Sequence, residues 1–297
     1  MKKLLSVLLI CLCVLAVTTC SKDEPSDLRK FESALIDVQE AEDHMKETMN
    51  HINLNELESL SKTDMADENK KALNQLQDDI NNELMPKFDD YEAAAKQLPA
   101  DSDEVKDLKS SYLETVDDKR QQLNQLNTFV KLCNQSVKAN EDILYYTKLF
   151  EKNRSRIEEN VKKGQEAGNT EEVARFVQKL EDNNKRLKST AEATIENKDQ
   201  QAAQDGISEA VMPLIGQQIR DLNKTNIESV QINDARKNAI EMYYSLQNYY
   251  ETREETMDIS EKLSKIDHHK LPKKGEDLEK YDQAFEDELN EVKATYQ

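Results

Sequence analysis

The sequence predicts an all-α protein: elongated antiparallel helical bundles with coiled-coil-like seams, two bundles sharing a long central helix. Three observations carry this reading. The chain has 5 Gly and 5 Pro in 297 residues, too few turn formers for a β-rich protein of that size. Charged residues make up 34% of it, and Glu, Lys, Gln, Asn, Leu and Ala dominate, the composition of long helices. Apolar residues recur at threes and fours through most segments, so each segment carries one apolar stripe.

The first element is a leader. Lys2 and Lys3 precede an apolar run from Leu4 to Val17, then Thr18, Thr19 and Cys20. This is the layout of an export signal, and the run is shorter than the ~20 residues of a membrane span. A cysteine directly after it points to lipoprotein processing: residues 1–19 removed, Cys20 acylated, and residues 20–26 forming a tether of at most roughly 20 Å. Val17 and Thr18 suit such processing, whereas Thr19 stands where Gly, Ala or Ser is usual. The alternatives are ordinary signal cleavage or an uncleaved short anchor, with Cys20 a bystander. With Cys11 and Cys13 in the leader, only Cys133 remains for the folded part, where no intramolecular disulfide can form. Cys133 is expected to pack as a small apolar side chain.

Two helical regions follow, expected at 27–164 and 165–297. Ser26 can cap a first helix with the stripe Leu28, Phe31, Leu35, Val38, Met45, Met49 and Ile52. After the polar connector Asn53 to Asp64 comes Leu73, Leu76, Ile80, Leu84, Phe88, Tyr91, Ala95 and Leu98, with Pro86 expected to kink or interrupt the helix. Pro99 marks a turn, and Asp101 with Glu104 suggests a capping box. The stretch from Asp101 to Lys163 holds neither Gly nor Pro and reads as one helix of about 90 Å. Its first stripe runs from Val105 through Leu108, Tyr112, Val116, Leu123, Leu126, Val130, Cys133 and Val137 to Leu144. From Ile143 the face shifts to Tyr146, Phe150, Ile157 and Val161, so one helix serves two sets of partners. Gly164, Gly168 and Asn169 should end it. Val173, Phe176, Leu180, Leu187 and Ile195 mark the next helix. Gly206, Pro213 and Gly216 disturb the following region, which keeps the face Val211, Leu214, Ile215, Ile219 and Leu222. A helix from about Thr225 to Ile266, the loop His268 to Gly275, and a last helix with Leu278, Tyr281, Phe285, Leu289, Val292 and Tyr296 complete the chain.

Glu241-Met242-Tyr243-Tyr244, continuing Ser245 to Glu251, resembles the signature of the staphylococcal EMYY-motif lipoproteins, and the leader followed by an acidic helical body matches their layout. A looser similarity, over Arg120 to Tyr146, is to helical cell-wall-binding lipoproteins of related bacteria. The resemblance implies a surface lipoprotein of unassigned activity, anchored in the bilayer through Cys20 at the extracytoplasmic face of the membrane.

The acidic balance limits the partners. Loss of Lys2 and Lys3 leaves 39 basic against 60 acidic residues, a net charge of −21, which repels nucleic acid and other polyanions. Within the motif, Tyr243, Leu246, Tyr250 and Met257 share a face with Ala239 and read as core. Tyr244 lies off that face and Tyr249 at its edge, where they form a candidate protein- or wall-contact surface. Glu40, His44, Glu47 and His51 line one helix face at metal-ligand spacing, but almost opposite the apolar stripe, so no metal or other cofactor is assigned. His268 and His269 with Lys270, Lys273 and Lys274 form one basic island, read as a solvated loop. No nucleophile elbow, phosphate loop or catalytic triad pattern is present, so an enzyme is not expected. The leading expectation is a non-catalytic, membrane-tethered binding or spacer module of the cell envelope. The alternative is a small-ligand- or metal-binding lipoprotein serving a transporter. Oligomeric state is not encoded in these patterns.

Overall fold

In the computed structural model, residues 26–54, 57, 67–195 and 199–296 are described; the expected leader, Cys20 and the expected tether as far as Pro25 lie outside them, while Ser26, expected as the tether's last residue and a cap, is the first residue of a helix. Every regular element among the described residues is helical. Helix α1, Ser26–His51, buries Leu28, Phe31, Leu35, Val38, Met45 and Met49 as its stripe requires, and also Glu42. Helix α2, Asp67–Asp79, passes into a π-helical turn, Ile80–Leu84, and then into α3, Met85–Lys96. Pro86 explains the turn. It has no N–H to return to the preceding turn, so the chain widens by one residue and Met85 N–H bonds to Ile80 O. The interruption expected at Pro86 is therefore absorbed without ending the stripe: Ile80, Leu84, Phe88 and Tyr91 are all fully buried.

Helix α4, Asp103–Glu166, is followed by α5, Thr170–Ile195, and α6, Gln200–Gly206. A second π-helical turn, Ile207–Val211, leads into α7, Met212–Asn223, and then come α8, Val230–Ser264, a 3-10 turn, Gly275–Tyr281, and α9, Gln283–Ala294. The chain forms two compact units. One takes α1, the stretch Asn74–Thr128 and the segment from His268 onward; the other takes the start of α2 and Phe129–Asp267. Helix α4 thus contributes to both. The boundary expected near residue 164 is replaced by an interleaved one, because the C-terminal segment packs with α1 and not with its neighbours in sequence.

The second unit repeats the first. Gln77-Asp78-x-Ile80-x4-Met85-Pro86 returns as Gln204-Asp205-x-Ile207-x4-Met212-Pro213, each copy placing a π turn before its Met-Pro pair. Pro86 to Pro213 is a shift of 127 residues. At that same shift Ser102 and Ser229 stand just before α4 and α8. Lys109 Nζ donates to Leu98 O at 2.7 Å and Arg236 Nη1 to Thr225 O at 2.8 Å. The helices α1 and α5 have 26 residues each and bury Leu28, Phe31, Leu35 and Val173, Phe176, Leu180 at matching positions. The matching acids do the same work. Asp27 accepts from Asp101 N–H, Ser102 N–H and Ser102 Oγ, and Glu172 from Glu228 N–H, Ser229 N–H and Ser229 Oγ. Both hold the N-terminus of a long helix, where unpaired N–H groups favour a carboxylate.

Each unit is closed by a fourth element of different origin. In the first, Phe285 of α9 packs on Tyr112 with ring centroids 4.7 Å apart and on Phe31 at 6.4 Å. In the second, Phe150, Ile157 and Val161 of α4 join the core formed with Val173, Phe176, Ile232 and Ala239, as their shift of face predicts. Three local expectations change. The cap of α4 is Ser102, whose Oγ accepts from Val105 N–H, and not Asp101. The first stripe of α4 stops short of Leu144, which is 60% exposed. Gly164 lies inside α4 pressed against Ile232, where a Cβ would come within 2.5 Å of Cδ1, while Gly168, at φ +84°, ends the helix.

Candidate functional site

The buried polar atoms of the first unit converge on Lys119, whose side chain is fully buried. Its Nζ lies 2.7 Å from Glu42 Oε1 and 2.5 Å from Asp282 Oδ1, joining α4 to α1 and to the residue just before α9. Lys46, one turn beyond Glu42, donates to Glu42 Oε1 at 2.9 Å and approaches Glu279 at 3.5 Å. Beneath them Tyr91 and Tyr112 share a hydrogen bond of 3.2 Å between hydroxyls, and Lys119 Nζ stands 5.6 Å from the Tyr91 ring centroid. A cleft of about 530 Å³ opens over the cluster, lined by Gln39, Asp43, Lys46, Glu279 and Gln283 among others.

The two carboxylates differ electrostatically. Burial opposes the charge on Glu42, but the adjacent Lys119 and Lys46 outweigh it and hold its carboxyl below the usual range. Burial prevails at Asp282, where Lys119 only partly offsets it and Glu42 repels, so the carboxyl lies above the usual range. Burial also weakens the acidity of the Tyr91 and Tyr112 phenols. The lysines and carboxylates are bonded to one another, so the cluster acts first as an ionic latch between α1, α4 and the C-terminal segment.

The corresponding positions in the second unit are apolar. Glu42 matches Leu187, Lys46 matches Ala191 and Lys119 matches Leu246. Sequence reading missed this cluster because apolar positions alone were followed. The available signal was a pair of gaps: Glu42 and Lys119 fall at stripe positions between Val38 and Met45 and between Val116 and Leu123, with opposite charges.

The residues singled out in sequence fall as follows. Tyr243 is fully buried and donates to Asn184 Oδ1 at 2.8 Å. Ala239, Met242 and Tyr250 are buried with it, while Leu246 and Met257 pack partly exposed against the same core. Tyr244 is 45% exposed. Tyr249 is half-buried, edge-on to Tyr250 at 5.2 Å, so the two tyrosines differ more than their spacing suggested. Next to Tyr146 of the second face of α4, Tyr145 is 60% exposed, with the two rings 5.4 Å apart. Glu40, His44, Glu47 and His51 are all exposed or half-exposed; a His51 ring nitrogen lies 2.7 Å from Glu47 O, and among the described residues no three such groups converge on a metal position. In the basic loop the His268 and His269 rings lie 4.0 Å apart. Cys133 is buried, which pushes its thiol up to about 11. Cys20 lies outside the described residues. No helix among those described is long and apolar enough to cross a membrane.

The family model of the EMYY-motif containing lipoproteins matches residues 1–293. Comparison with curated proteins and with solved structures gives no match.

Proposed function

Because the chain belongs to the EMYY-motif containing lipoproteins, we propose that it is a non-catalytic binding module of the bacterial cell envelope, tethered by acylated Cys20 at the extracytoplasmic face of the membrane. The family match includes the leader and Cys20 and supports the anchor; several acyl chains on one cysteine hold a protein firmly to a bilayer. The observation that carries the binding part is the division of labour inside the motif. Tyr243 builds the core and the adjacent Tyr244, 45% exposed, adds little to it. A half-exposed tyrosine offers a rigid apolar body and a polar tip, the combination favoured at protein interfaces. The partner it meets is a protein or wall component, and the acidic surface disfavours nucleic acid.

Crosslinking in living cells, comparing the wild type with Tyr244→Ala and Cys20→Ser, tests both parts. Tyr244→Ala should melt within about 2 °C of the wild type and lose most of the crosslinked partner. Cys20→Ser should move from the membrane fraction to the medium. Undiminished crosslinking in the first variant rules out a Tyr244 surface, and retention of the second in the membrane rules out the Cys20 anchor.

A further inference from the structure

We propose that the C-terminal segment Gly275–Tyr296 is a releasable clasp on the first unit, latched by the Lys119–Asp282 pair and opening as one piece while α1, α3 and α4 stay packed. The second unit supplies the comparison. Its closing helix is part of α4, continuous with α5 through the turn at Gly168, and it enters an apolar core through Phe150, Ile157 and Val161. The closing element of the first unit, Gly275–Tyr296, also buries apolar side chains, Leu278 and Phe285, but it adds an ionic contact of Asp282 with Lys119, a position that is Leu246 in the second unit.

Within the 3-10 turn and α9, Gly275, Leu278 and Phe285 are the buried residues. Leu289 and Val292 are half-buried beside them, and the segment also makes a set of polar attachments. Asn50 Oδ1 accepts from Gly275 N–H at 2.8 Å and Asn50 Nδ2 donates to Glu276 at 3.2 Å. Thr115 Oγ1 donates to Tyr281 O, Lys293 pairs with Glu32, and Tyr296 OH donates to Glu104 at 2.5 Å. A 12-residue helix does not hold its conformation in water without packing. Undocking therefore unfolds α9, and docking and folding are one event.

The floor of the groove is suited to this. When the segment leaves, Lys119 keeps Glu42 at 2.7 Å and Glu42 keeps Lys46 at 2.9 Å, so no buried charge loses its last partner and water can enter. At the matching places the second unit has Leu187 and Leu246, which water would not wet favourably. Ionic residues at stripe positions add little net stability over apolar ones, so their presence on one bundle alone fits a contact that must break and re-form.

Hydrogen–deuterium exchange read by mass spectrometry on the full chain tests the clasp. In the wild type, amides of Gln283–Ala294 should exchange together and at least ~10-fold faster than those of α1 and of the Phe150–Val161 stretch. Two variants loosen the clasp from different sides. Asp282→Ala removes the latch while leaving Lys119 its Glu42 partner. Gly275→Ala brings a Cβ to 2.8 Å from the Lys46 Cα, a backbone contact that must move. Both should raise exchange in Gly275–Tyr296 by a further ~10-fold and leave α1 and α3 unchanged. Equal protection of α9 and α1 in the wild type overturns the proposal. So does acceleration of α1 and α3 to the same extent as the segment in either variant, which would make the segment an integral part of the bundle.

Discussion

Replacing Lys119 with Met should destabilise the first unit by about 3 kcal/mol. The side chain is fully buried, and its Nζ serves two carboxylates of which Glu42 is almost entirely and Asp282 largely buried. Removing one partner of a buried pair leaves an uncompensated charge and costs about 3–5 kcal/mol. Two features place this case at the lower end. Lys46 still reaches Glu42 at 2.9 Å, and Asp282, whose carboxyl burial has already raised, can take up a proton. At roughly 2–4 °C per kcal/mol for a unit of this size, the melting temperature should fall by about 6–12 °C. Circular dichroism at the helical band, followed through a thermal scan, measures this directly. The triple variant Glu42→Leu, Lys119→Leu, Asp282→Leu, whose first two changes copy Leu187 and Leu246 of the second unit, should recover most of the loss. A fall below about 2 °C for Lys119→Met would show that the cluster carries little energy, and a triple variant as unstable as the single one would place the loss in packing and not in charge.

Acid sensitivity should follow Glu42. Its folded carboxyl lies below the usual range, so its contribution is full above the unfolded carboxylate value and is lost as pH falls through the folded one; urea midpoints at about pH 7 and about pH 3 should differ less for Glu42→Gln than for the wild type. Gly164→Ala sets two effects against each other. The helix gains up to about 1 kcal/mol from the better helix former, whereas crowding the buried Ile232, 2.5 Å from the new Cβ, costs about 1–3 kcal/mol. Net destabilisation of about 1 kcal/mol in a urea titration is expected, and a stabilised variant would show that Ile232 repacks freely.

The helices, their buried faces and the change of face along α4 were legible because each depends on spacing within one segment. Leu28, Phe31, Leu35, Val38, Met45, Met49 and Ile52 are all buried as read. Pro86 announced a disturbance, but a proline says only that a hydrogen bond is missing; the π turn records how the neighbouring helices allowed the chain to absorb it. The repeat was also present in the sequence, in the two Gln-Asp-x-Ile-x4-Met-Pro stretches, yet no stripe-by-stripe reading could find it. The family, through Glu241 to Tyr244, was recognisable from local residues.

Periodicity and composition were sufficient for the all-α class, for most of the apolar core of each helix and for an exposed Tyr244 beside a buried Tyr243, since a helical residue's side follows from its position along the turn. Which element closes each bundle was settled in three dimensions. Phe150 and Phe285 both sit on ordinary amphipathic stripes, and an apolar stripe fits many grooves equally well. Folding distinguished them by charge and shape at a distance in sequence: Asp282 finds Lys119 and Gly275 admits the backbone of Lys46, contacts that no local pattern encodes.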